Sequence, residues 1–271
     1  MMLTTGKKIT FYVLLVISAF LLAGPAIMAI VMSFMTNQDI LTGSLPKTFT
    51  FDNYIAAFDR LPLLQFLFNS LVVAIVITLG QLMLSALAAY AFVFLEFKGR
   101  DLLFYLFIAT MMVPFEASVI PNFHMIRDLG WIDSYAGMTV PFFATTFGTF
   151  LLRQNFKQIP KELREASMIA GMGDVKFYLT VVLPVSRTSL VTLGIYGFLT
   201  SWNMYLWPLL STTNDTVRTV QIGLKQLQTQ EQLNQWGVMM AGAVIVIIPT
   251  LILLFAGQKK LQTGLTEGAV K

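Results

Sequence analysis

Six stretches of this chain, residues 9–34, 66–95, 102–121, 134–152, 188–210 and 237–257, are apolar over the ~20 residues a helix needs to cross a bilayer. Five carry no Asp, Glu, Lys or Arg; the third holds Glu116 and is interrupted by Pro114 and Pro121. Proline removes a backbone donor and kinks a helix. In a membrane such a break is tolerated where the backbone faces protein or a cavity. Lipid offers backbone N–H and C=O groups no partner, so apolar runs of this length fold as helices. The expectation is an all-α membrane protein with six transmembrane helices in a single domain over residues 1–271.

Composition agrees with this and narrows the chemistry. Hydrophobic residues make up 56% of the chain and charged residues 12%, where a soluble domain has about 25% charged. There is no cysteine and one histidine, His124, so thiolate nucleophiles, disulfides and multi-histidine metal sites are excluded. His124 is read as structural. The run that follows Lys7 and Lys8 is longer than the ~7–15 apolar residues of a signal peptide, so it is expected to stay as the first span.

The basic residues set the orientation. With the N-terminus inside, 13 of the 18 Lys and Arg fall on the cytoplasmic side and 5 outside. Both termini are then cytoplasmic, and so is the long segment 153–187. That segment has the marks of two short helices. Pro160 suits a first helical turn. Residues 161–170 are mostly good helix formers, and Gly171 fits a C-terminal cap. Asp174 is expected to cap a second helix running toward Val182, with Pro184 ending it.

No phosphate-binding loop of the form G-x-x-x-x-G-K-[ST] occurs. No cofactor is expected, and if ATP drives any process here, other subunits bind it.

The segment Glu165-Ala166-Ser167, with Gly171 six residues after the glutamate and Leu183-Pro184 at its end, resembles the EAA loop of ABC-importer permeases. Ser167 stands for the second alanine, Ala170 for a commonly acidic residue, and Thr188 where many relatives have proline. The likeness continues through Asn69-Ser-Leu71, Ala88-Ala-Tyr-Ala-Phe92, Phe97-Lys-Gly-Arg100, Met112-Val-Pro114, Trp202-Asn203, Trp207-Pro208-Leu209 and Gly264–Lys271. It covers nearly the whole chain, in order, and is to the second-subunit type of carbohydrate (maltose-type) ABC permeases. Asp133-Ser-Tyr-Ala-Gly137 and the residues 202–209 look most like members that carry glycerol-3-phosphate.

The resemblance implies a machine. The partners would be a second, similar permease subunit, two cytoplasmic ATP-binding subunits, an extracytoplasmic solute-binding protein and membrane lipid, with no nucleic acid. The ATPases would grip Glu165, Ala166, Ser167, Gly171, Leu183 and Pro184, and the tail Gly264–Lys271 would reach their interface. Read by residue alone, that loop is either an amphipathic helix pair lying on lipid or a peg for a cytoplasmic partner.

Candidates for the solute path are Asn69, Gln81, Glu116, Trp202, Asn203 and Tyr205. Each has a plainer reading. Asn69, Gln81 and Asn203 can bond between helices, Glu116 can sit wet at the outer boundary, and Trp202, Tyr205 and Trp207 can form an interfacial belt. No Lys or Arg lies within any of the six stretches, so the residues favour a neutral sugar while the resemblance favours glycerol-3-phosphate. Two rivals remain: an ion-coupled secondary transporter, which wants titratable groups at mid-membrane, and a membrane-embedded enzyme, which would need clustered carboxylates.

Overall fold

The computed structural model describes residues 5–230 and 235–266, and among these there is no strand. Three helices are long and apolar enough to cross a membrane singly. They lie within α1 (Thr5–Ser33), α4 (Leu63–Phe94) and α15 (Trp236–Thr266). Between α1 and α4 come two short helices, α2 (Asn37–Thr42) and α3 (Asp52–Arg60).

Three further segments are long enough only as bent pairs. The first joins α5 (Arg100–Ala109), with its 3-10 extension to Met112, to α6 (Phe115–Asp128) at 99°. The stretch 102–121 is therefore no single straight helix, and the bent pair runs on to Asp128. Pro114 pushes Val113 out of the helical region (ψ 115°), and Pro114 itself is extended (ψ 142°), so the helix stops and restarts in a new direction. Pro121, the second proline expected to interrupt, is carried inside α6.

The second pair joins α7 (Tyr135–Thr139), with its 3-10 extension to Phe142, to α8 (Thr146–Phe156) at 44°. Next come α9 (Lys161–Ile169), α10 (Asp174–Phe177), a π turn over Tyr178–Val182 and α11 (Leu183–Val185). That run meets α12 (Arg187–Trp202) at 77°. Pro184 therefore does not end the second loop helix. The wider π register precedes the proline, whose missing N–H it accommodates, and the helical run continues to Val185. After α12 come α13 (Leu206–Ser211) and α14 (Val220–Gln230).

The chain forms two compact units. One comprises residues 5–64 and 223–248 of those described. In it Asn53 donates from Nδ2 to the carbonyls of Ser33 (2.9 Å) and Met35 (2.8 Å), tying α3 to the end of α1. Phe34, Phe51 and Tyr54 pack their rings around that junction. Thr36 caps α2 at the Asp39 amide, and the αL Gly43 closes it.

The other unit comprises residues 65–222 and the end of α15. Its core gathers Ala86, Ala89 and Tyr90 of α4, Leu152 and Phe156 of α8, Ile159, Phe177, Val182 and Leu193. Small residues let the helices approach, as membrane packing requires. A Cβ on Gly80 would fall 2.4 Å from the Phe143 ring. The outward side chains are large and apolar: Leu79, Met83, Leu87, Leu102, Tyr105 and Leu106 are all exposed. In water this would be a liability, and in lipid it is the solvent-facing surface.

Candidate functional site

The segment after α8 folds as a helical hairpin. The turn between α9 and α10 is a Schellman motif: the Met172 amide donates to the Ser167 carbonyl (2.9 Å) and the Gly171 amide to that of Met168 (3.0 Å). Gly171 has φ +69°, a conformation glycine adopts without steric cost. The expectation that Gly171 caps the first loop helix is met. The expectation that Asp174 caps the second is not. Its carboxylate makes no cap, the helix opening from Gly173 without a side-chain bond. Instead it pairs with Arg164 of α9 and accepts from the Tyr90 hydroxyl of α4 (3.2 Å).

Further contacts stiffen the hairpin and seat it on the core. The Arg164 guanidinium lies over the Phe177 ring, 4.9 Å from its centroid. Phe177 is fully buried and meets Phe94 edge-on at 5.4 Å. Ser167 is buried on the inner side of α9, its hydroxyl bonded to the Arg164 carbonyl at 2.6 Å. The opposite side is bare. Glu165, Ala166 and Gly171 are exposed, and so are the apolar side chains of Met168, Ile169 and Val175. Ile169, near the turn, is 89% exposed. Leu183 packs against the core, so the six residues grouped with Glu165 divide between an outer tip and an inner root.

The candidates for the solute path lie in several neighbourhoods. Asn69 is 1% exposed and committed internally. Its Nδ2 donates to the carbonyls of Thr216 (3.0 Å) and Arg218 (2.8 Å), and its Oδ1 accepts from Tyr135 (2.7 Å). Gln81 donates to the Phe142 carbonyl at 3.1 Å and closely approaches Gly197, where a Cβ would sit 2.6 Å from its Oε1. Glu116 is exposed in the first turn of α6, just past the 99° bend. Trp202 is buried and stacked on Phe198, whereas Asn203 is exposed and Tyr205 half-buried at the α12–α13 connection. Trp207 is no belt residue. It is wholly buried, donates its indole N–H to the Gly137 carbonyl (3.0 Å) and meets the Phe142 ring at 5.6 Å.

Sequence reasoning met Asp133 only as the first residue of a resembling run and gave it no role of its own. This residue has φ +56° and binds the start of the α13–α14 connection. Its carboxylate accepts from the Thr213 amide (2.5 Å), the Thr213 hydroxyl and the Asn214 amide (3.2 Å). Burial raises its pKa, but the bonds from Thr213 and Asn214 and the nearby Arg218 charge outweigh that and hold the carboxyl below its usual value. A non-glycine αL position is a signal only the backbone reveals.

Residues 81–266 match the model of the binding-protein-dependent transport system inner membrane component family. The chain belongs to that family. The sn-glycerol-3-phosphate transport system permease protein UgpE of Agrobacterium fabrum is 35% identical to it over 271 residues, covering 96% of each chain. The protein of the same name from Yersinia pestis bv. Antiqua is 38% identical over 202 residues, covering 74% of this chain and 72% of its own. A crystal structure of a bacterial ABC transporter involved in the import of alginate contains a chain of the same fold. Its TM-score is 0.86 at 23% identity, covering 96% of this chain and 99% of that one.

This family member is thus a multi-pass inner-membrane component of a binding-protein-dependent transport system, with the ABC permease fold. None of these matches supports the ion-coupled reading, and the family and its relatives are transport permeases rather than enzymes.

Proposed function

We propose that the chain is one permease subunit of an ABC importer for glycerol-3-phosphate or a closely related solute, acting as a single transmembrane domain. It crosses the membrane six times, counting each bent pair as one span, with both termini and residues 153–187 in the cytoplasm. A second, similar permease completes the path, two ATP-binding subunits hold the nucleotide, and an extracytoplasmic protein delivers the solute. The chain needs no cofactor of its own.

One observation carries the mechanism. The α9–α10 hairpin presents Glu165 and the apolar Met168 and Ile169 outward while Arg164, Asp174, Tyr90 and Phe177 fix its inner face to α4. A force applied at the tip reaches the transmembrane helices without being absorbed by a loose linker. ATP-driven closure of the two ATPase subunits then rotates the helices between inward and outward openings. Glu165→Ala is expected to leave docking of the solute-binding protein intact and to abolish solute-stimulated ATP hydrolysis and uptake. An ion pair broken on one partly desolvated side costs several kcal/mol. Normal uptake by that variant would refute the peg.

The relatives' names support glycerol-3-phosphate as the solute. None of the six apolar stretches contains Lys or Arg, and phosphate recognition recruits such groups. The cations that select the phosphate are therefore assigned to the binding protein or the partner permease, and the path in this subunit stays weakly binding, which favours release. A thermal-shift screen of the cognate binding protein should show stabilisation by glycerol-3-phosphate and not by amino acids. Stabilisation by a neutral oligosaccharide alone would move the solute to the sugars.

A further inference from the structure

A cavity of about 500 Å³ opens beside the hairpin, between the end of α4, the start of α5, the end of α8 and α9. Its lining includes apolar side chains, among them Phe92, Val93 and Phe156. Much of the rest is basic. Arg100, Arg153, Lys157, Lys161 and Arg164 line it against three carboxylates, Glu96, Asp101 and Glu165.

The charges are unequally engaged. Arg164 is taken by Asp174. Asp101 stands 3.6 Å from Arg100 and 3.9 Å from Arg153, weak contacts for both. Arg153 is 7% exposed, its guanidinium carbon is 3.6 Å from the Phe104 ring centroid, and no hydrogen bond reaches its Nε. Lys157 and Lys161 are exposed, and among the described residues neither has a carboxylate partner. A buried arginine with an unmet donor and two lysines without a carboxylate partner, lining one cavity with apolar side chains, suit a phosphate group attached to a hydrocarbon body. The cavity is much larger than inorganic phosphate, and half of its lining would be wasted on it.

We propose that this cavity holds the head group of an anionic phospholipid, with the phosphate toward Arg153, Lys157 and Lys161 and the glycerol and acyl carbons along Phe92 and Val93. Lys161 belongs to α9, so the lipid braces the inner root of the hairpin that drives transport. The leaflet that supplies it rests on the topology proposed above; binding itself does not.

The purified complex, delipidated and returned to nanodiscs of phosphatidylcholine with or without phosphatidylglycerol, tests this by native mass spectrometry of retained lipid. The wild type is expected to keep phosphatidylglycerol in preference to phosphatidylcholine, and inorganic phosphate should not displace it. Each of Lys157→Gln and Lys161→Gln should weaken retention about fivefold, as expected of ~1 kcal/mol per cation near a lipid surface. The double charge-keeping variant Lys157→Arg/Lys161→Arg should retain the lipid. Equal retention of both lipids, or unchanged retention after both Gln substitutions, overturns the proposal. Displacement by inorganic phosphate assigns the site to a soluble anion and overturns the lipid. Ejection of lipid is read without transport, so the importer reading can fail while this one stands.

Discussion

The guanidinium of Arg164 meets the carboxylate of Asp174 across the Gly171 turn, joining α9 to α10 by charge as well as by chain. The same carboxylate accepts from Tyr90, so one acid links the two loop helices to a transmembrane helix.

That pair can be dissected by a double-mutant cycle. The side chains are 22% and 51% exposed, so solvent screens them and the direct coupling between Arg164→Ala and Asp174→Ala should be at most about 1 kcal/mol. Amide exchange over residues 171–177 should accelerate by up to about fivefold in either single variant. Strictly additive effects would assign the hairpin's rigidity to the Schellman turn alone.

Gly171→Ala isolates that turn. A Cβ there meets nothing within 4 Å, so the whole penalty is the left-handed backbone at φ +69°, about 1 kcal/mol. Gly171→Asn should lose less, because Asn visits this region more readily. The ratio of solute uptake to ATP hydrolysis in proteoliposomes is the readout, and it should fall in the order Gly, Asn, Ala. Full coupling in the alanine variant would show that the turn need not be held.

Asp133 gives a pH dependence whose sign is fixed. Its carboxyl is held below the usual value, so the folded state binds fewer protons there than the unfolded chain. The associated stability is complete above about pH 4 and is lost as pH falls through the depressed folded-state value. Thermal unfolding of wild type and Asp133→Asn should therefore differ at neutral pH and converge in acid. A difference that persists unchanged at pH 3 would contradict the assignment.

Trp207→Phe removes the indole N–H and leaves the Gly137 carbonyl, 3.0 Å away, without its donor. The site is fully buried, so the loss should be about 1–3 kcal/mol, seen as a lower Tm of the complex. An unchanged Tm would mean that another donor reaches Gly137.

The apolar stretches and the glycine-closed loop helix were legible because their causes are local: lipid demands length, and a left-handed cap wants glycine. What escaped was decided by partners distant in sequence. Asp174 sits where an N-cap would, but Arg164 and Tyr90 offer it stronger bonds than a free amide. Pro184 looks like a terminator, yet the π turn before it absorbs the missing donor. Trp207 reads as a membrane-belt residue until Gly137, 70 positions away, supplies its acceptor. Of the path candidates, Asn69 is fully engaged inside the fold, a fact no local pattern around Asn69-Ser-Leu71 discloses.

The 99° break at Pro114 bears on how the chain is made. Its limbs, Arg100–Met112 and Phe115–Asp128, each rise only about 20 Å as helix, short of the ~30 Å hydrocarbon core. Neither limb can partition from the translocon as an independent span. The elbow is bare on this chain, Met112 being 85% exposed, and irregular backbone at membrane depth needs protein or water beside it; on the topology proposed above, stable integration of this segment therefore depends on what a neighbouring subunit or a water-filled space supplies at Pro114.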